Sequence, residues 1–162
     1  MTTIAADLTS MSADTKVTDD ITDYYTTKIF VMGDAIVGAA GNVDDTNLFF
    51  DWVRGGLKLK DKPAKVAKNF NGIMLTRKGL FYFQNFARPD RVEPHPVNGL
   101  VYYAIGNGAQ AAMAMLSDGH SSHRAIEKAI EINTAATGGR IDTLAVASLP
   151  PLKTPSARKR TR

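Results

Sequence analysis

Cysteine is absent from the 162 residues, which excludes disulfides, thiolate metal centres and a cysteine nucleophile. Histidine is scarce: His95, His120 and His123 fall in loops or at a helix start without ligand spacing, so they read as solvated and no metal site is assigned. No run approaches the roughly 18 consecutive apolar residues a membrane span needs. The N-terminus also lacks a basic stretch followed by an apolar one. These absences predict a cytoplasmic protein with no membrane partner. Gly106-Asn107-Gly108 lacks the lysine and the longer glycine pattern of a phosphate loop, which argues against a nucleotide role and against a built-in ATPase.

What is present suits one globular domain, with 44% hydrophobic and 22% charged residues. The formal charge of +4 is unevenly placed. Lys153, Arg158, Lys159, Arg160 and Arg162 crowd the last eleven residues, and removing these five charges from +4 leaves −1 over residues 1–151. Residues 1–150 therefore read as the domain, and 151–162 as a flexible basic tail. The tail is the one place where nucleic acid or an acidic partner could bind, and a merely solvated extension is the equal alternative.

Along the chain, Thr2–Asp7 (TTIAAD) and Met11–Val17 (MSADTKV) read as strands, and residues 19–27 as an acidic surface loop. Lys28–Met32 and Ala35–Ala40 flank a Gly33-Asp34 turn and form a hairpin. A helix follows, capped by Asn42 or Asp44, with Leu48, Phe49, Trp52 and Val53 on its apolar stripe and Gly55-Gly56 at its end. Residues 57–70 read as an exposed lysine-rich connection, 72–77 and 80–83 as a second hairpin turning at Lys78-Gly79, 87–99 as a proline-rich loop and 100–105 as a buried strand. Two helices come next, one opened by Gly106-Asn107-Gly108 and one capped by Ser121 or Ser122, before a last strand at 141–147. Two sheets that must stack, with helices outside them, give an α+β class and a four-layer αββα sandwich.

The chemistry gathers at the start of the chain. Removal of Met1 would leave Thr2 with a free α-amine of pKa about 7.7–8.0 beside its own hydroxyl. One residue then supplies both nucleophile and general base. Asp14 lies on the neighbouring strand and Lys28 begins the next, where an ammonium would lower the hydroxyl pKa and a carboxylate would partner it. Gly41 ends a strand just before a helix, where a backbone N–H can face a developing oxyanion. Taken alone, Asp14 and Lys28 read first as a surface pair worth under about 1 kcal/mol, and Gly41 as a turn glycine, which is compatible with the oxyanion role.

The ordered segments TTIAAD, SADTK, TKI, GAAGNVDD, AIGNGAQAA and TAATGGRID, spanning residues 2–147, resemble the β-type subunits of the proteasome and above all the HslV peptidase. These are N-terminal nucleophile hydrolases. The resemblance implies a threonine-type endopeptidase: Thr2 as nucleophile, Asp14 and Lys28 as its acid and lysine, Gly41 as the oxyanion glycine, Ala39 lining the pocket for the side chain before the cut. It further implies a homo-oligomeric ring, stacked as a double ring, that takes unfolded polypeptides from a separate ATPase unfoldase.

Two departures stand out. Asn107 replaces the serine that in the family helps hold the terminal amine, and Thr134 replaces the proteasome's late acid, with Thr137 at the serine position that follows it. The HslV branch also lacks that acid and can bind a cation through backbone carbonyls at this bend, so no cofactor is required, and the resemblance leaves open a cation held by backbone carbonyls near Thr134 and Thr137. Two other readings stay open: a catalytically inactive ring or scaffold subunit, and a small-molecule amidase of the same fold.

Overall fold

The first strand shows how the layers arise. In β1 (Thr3–Asp7), Ile4 and Ala6 are fully buried in one apolar cluster and Ala5 in another, so both faces of the strand are covered. In the computed structural model, which describes residues 1–18, 22–58, 70–85, 92–96, 101–135 and 137–151, β1 is a central strand. It pairs antiparallel with β2 (Ser10–Asp14) on one side and β10 (Tyr102–Gly106) on the other, and β11 (Ile141–Ala145) extends the sheet beyond β2.

A second antiparallel sheet runs β5 (Ile29–Met32), β6 (Ala35–Ala40), β7 (Asn71–Thr76), β8 (Gly79–Asn85) and β9 (Val92–Pro96) in sequence order. Ile4, Met11, Ile29, Ile36, Ile73 and Leu75 fill the space between the sheets. Each such side chain, fully buried, contributes about 1.5–3 kcal/mol. Gly38 permits the close approach, since a Cβ there would lie 2.9 Å from Ile4 Cδ1 of the opposite sheet.

Helices cover the two outer faces. α1 (Val43–Arg54) lays Phe49, Trp52 and Val53 on Ala35, Val37 and Ala39 of β6. The Asn42 side chain caps it by accepting from the Asp44 amide at 2.8 Å, and Gly55 and Gly56 end it. α2 (Ala109–Ser117) and α3 (Ser122–Ile132) cover the first sheet through Ala112, Ala125 and Ala129, small residues that fit above Ala5. The result is the four-layer αββα sandwich.

Three local expectations are corrected. Leu48 is exposed and Phe50 takes its place on the buried side of α1, because the apolar stripe turns toward Phe30, whose ring meets Phe50 edge-on at 5.2 Å. Within 19–27, Asp23–Tyr25 forms β4 and pairs with β3 (Lys16–Thr18), with Lys16 opposite Tyr25 and Thr18 opposite Asp23. Within 87–99, Val92–Pro96 is a strand despite Pro94 and Pro96. It is the last strand in the sheet order of the described residues, and an edge strand tolerates proline because only one of its sides needs N–H donors. The lysine-rich connection at 59–69 and the tail beyond Pro151 lie outside the described residues.

Candidate active site

The end of β10 fixes Thr2. Asn107 N donates to the Thr2 carbonyl at 2.9 Å, and Gly106, at φ 90°, lies directly beneath it. A Cβ on Gly106 would fall 1.8 Å from that carbonyl oxygen, so only glycine lets the two chains meet. Thr3 is fully buried, donating from its amide to Asp14 Oδ1 at 2.7 Å and accepting from Gly108 N at Oγ1 at 2.9 Å. Thr2, immediately before it, is half-buried and opens onto a cleft of about 1010 Å³.

Asp14 ends β2 in the first sheet, and Lys28 directly precedes β5 in the second. Their ion pair, 2.9 Å between Lys28 Nζ and Asp14 Oδ1, therefore bridges the two sheets. The ammonium has three N–H groups and three acceptors: Asp14 Oδ1, the Met1 carbonyl at 3.0 Å and the Lys16 carbonyl. Burial pushes the Lys28 pKa below the ordinary lysine value, and Asp14 opposes that shift. The α-amine of Met1 is likewise lowered, first by burial and then by Lys28.

Gly41 closes β6 at φ 139° and lines the cleft together with Thr2, Lys28, Ala39 and Asn107. All six sequence-selected positions thus converge: five border the cleft, and Asp14 sits behind Lys28. Phe30, Phe50 and Tyr24 add aromatic rings to the cleft lining. His120 and His123 are exposed elsewhere.

Sequence reading missed three contributors. Thr3 is one half of a Thr-Thr doublet, and nothing in the residue types says which threonine is buried. Lys16 contributes its carbonyl and Gly138 its amide, which donates to Asp14 Oδ2 at 3.2 Å. Backbone atoms leave no trace in residue identity; the Gly138-Gly139 pair is the sole hint that chains approach closely there.

Such an arrangement can do one kind of chemistry well. A threonine, a desolvated ammonium and a glycine at a strand end that line one cleft are the parts from which a nucleophilic acyl-transfer site can be built.

Solved structures agree on the fold. The chain superposes on the eukaryotic HslV from Trypanosoma brucei with a TM-score of 0.65 at 15% identity, covering 88% of this chain and 98% of that one. The chain has the proteasome-β-like fold of the N-terminal nucleophile hydrolases. BPH from Thiobacillus denitrificans matches with a TM-score of 0.62 at 14% identity over 89% of this chain and 96% of that one, and another structure of BPH holds epoxomicin. Anbu from Hyphomicrobium sp. strain MC1 matches with a TM-score of 0.61 at 14% identity, over 88% and 81% of the two chains. No protein-family model and no curated protein matches the sequence, so the likeness is one of three-dimensional structure.

Proposed function

We propose that this chain is a threonine peptidase that acts once Met1 is removed. One observation carries the reading: the buried Lys28 ammonium, gripped by Asp14 and the Lys16 carbonyl, spends its third N–H on the carbonyl of the residue directly before Thr2. Loss of Met1 deletes that acceptor and turns the third N–H toward the new terminus.

The Thr2 hydroxyl oxygen then attacks a peptide carbonyl carbon while its proton passes to the Thr2 amine. The Gly41 amide stabilises the oxyanion. Collapse breaks the C–N bond, the leaving amine takes the proton, and an ester on Thr2 remains. Water attacks the ester, gives its proton to the same amine, and releases the acid while the hydroxyl is restored. Asn107 Nδ2, which donates to Met1 Sδ at 2.7 Å in the intact chain, is freed to hold the amine or the water.

The substrates are unfolded polypeptides, the working form is a homo-oligomeric ring stacked in pairs, and a separate ATPase unfoldase feeds it in the cytoplasm. No step is routed through a bound cation, since the Thr134 carbonyl faces the Lys16 ammonium at 3.4 Å.

A second reading rests on Met1 itself. Its two contacts, to Lys28 and Asn107, hold it in the mouth of the cleft, as an inactive ring subunit that keeps its methionine would. Size-fractionated protein should degrade an unfolded polypeptide only in a large particle with a processed terminus, and the Thr2→Ala variant should not. A large particle that retains Met1 and cleaves nothing favours the inactive subunit instead.

A further inference from the structure

Four hydrogen bonds close a circuit around the Lys28 ammonium. Lys28 Nζ donates to Asp14 Oδ1, Gly138 N donates to Asp14 Oδ2, Lys16 N donates to the Gly138 carbonyl at 3.0 Å, and the Lys16 carbonyl accepts from Lys28 Nζ. Three members of this circuit are set by the main chain or by the site's own pair. Lys16 alone also reaches outward with its side chain, pairing with Asp23 Oδ2 of β4 at 3.0 Å and donating to the Thr134 carbonyl at 3.4 Å.

We infer that Lys16 is a positioning residue: through its side chain it ties the β3–β4 hairpin and the bend after α3 to the circuit that aims the Lys28 ammonium. The same hairpin lends Val17, Thr18 and Tyr24 to the cleft wall, so a peptide pressing on that wall acts on the strand that carries the Lys16 carbonyl. The Lys16 side chain is 16% exposed and that of Asp23 43%, which makes the pair a tether at the rim and not a core contact. Gly138 fits the tether closely: a Cβ there would meet Lys16 Cδ at 3.2 Å. The inference rests on the peptidase reading for its consequence in catalysis, but not for the geometry of Lys28.

Two readouts separate those parts. The first is amine-reactive labelling of the full chain, with Lys28 followed at the peptide level; the second is peptide cleavage resolved into kcat and KM. K16A should expose Lys28 and raise its labelling rate about tenfold, because an ammonium group misplaced by about 1 Å loses its partners. K16A and D23A should each lower kcat about tenfold with KM unchanged. The double variant should be no worse than either single one, and K16R should recover most of the rate. Unaltered Lys28 labelling in K16A, or losses that multiply in the double variant, would overturn the inference. If the wild-type protein cleaves no peptide, the peptidase reading fails, and the labelling experiment still decides whether Lys16 positions Lys28.

Discussion

Lys28 and Asp14 meet at 2.9 Å across the gap between two sheets, with 5% and 0% of their side chains exposed. A pair so placed is a poor source of net stability, because desolvating two charges consumes most of their attraction. Its presence is better explained by the site it serves. Removing one partner should nevertheless be costly: D14A strands a buried ammonium and should lower unfolding free energy by about 3–5 kcal/mol. Urea denaturation of D14A beside K28M checks this, and equal stability of D14A and wild type would show that the pair is solvated.

Burial lowers the Lys28 pKa, with Asp14 opposing, so the ammonium is lost at a lower pH than an ordinary lysine's. If the charged form assists Thr2, activity is retained below the folded pKa of Lys28 and falls as pH rises through it. The alkaline limb of kcat/KM should therefore come in below the usual lysine value of about 10.4. In D14N, where the charge that supports the ammonium is gone, the limb should move further down. A limb at or above the ordinary value would contradict the role given to Lys28.

Gly106 and Gly56 both have positive φ, at 90° and 84°, but only Gly106 faces a neighbour. G56A should cost on the order of 1 kcal/mol from backbone strain alone. G106A drives a methyl into the Thr2 carbonyl and should displace the chain start or prevent β1–β10 pairing. Thermal melts of the two variants, with cleavage as a second measure, should separate them clearly.

Much of this was legible in advance because it rests on side-chain type. The β-compatible TTIAAD and the β-branched AIVGAA between turn formers marked strands, Asn42 and Ser121 stood among the candidates for helix starts, and the ordered motifs from Thr2 onward marked the site through their resemblance to the HslV peptidase. What escaped depends on context. Pro94 and Pro96 read as loop residues until the strand is known to be an edge, and Asp23–Tyr25 becomes a strand through its pairing with Lys16–Thr18. Leu48 and Phe50 are both apolar, and the position of Phe30 decides which one is buried. In the site, the Lys16 carbonyl and the Gly138 amide act through atoms every residue possesses.

Ala39 is 6% exposed and borders the cleft, whose lining also includes the aromatic Tyr24, Phe30 and Phe50. Its small side chain leaves room for a bulky apolar residue before the cut. A39L should fill that room, lowering kcat/KM for peptides with Phe or Leu at this position by about tenfold or more. Peptides with Ala there should lose far less, and a uniform loss would place the pocket elsewhere.

The claim that Thr2 is the nucleophile has one direct test. Wild-type protein and the Thr2→Ala variant are treated with epoxomicin, the compound seen with BPH, and intact mass is followed by peptide mapping. The account predicts a chain lacking Met1, with the adduct on Thr2 in the wild-type protein and none in the variant. An adduct that persists in Thr2→Ala, or maps to another residue, would contradict it.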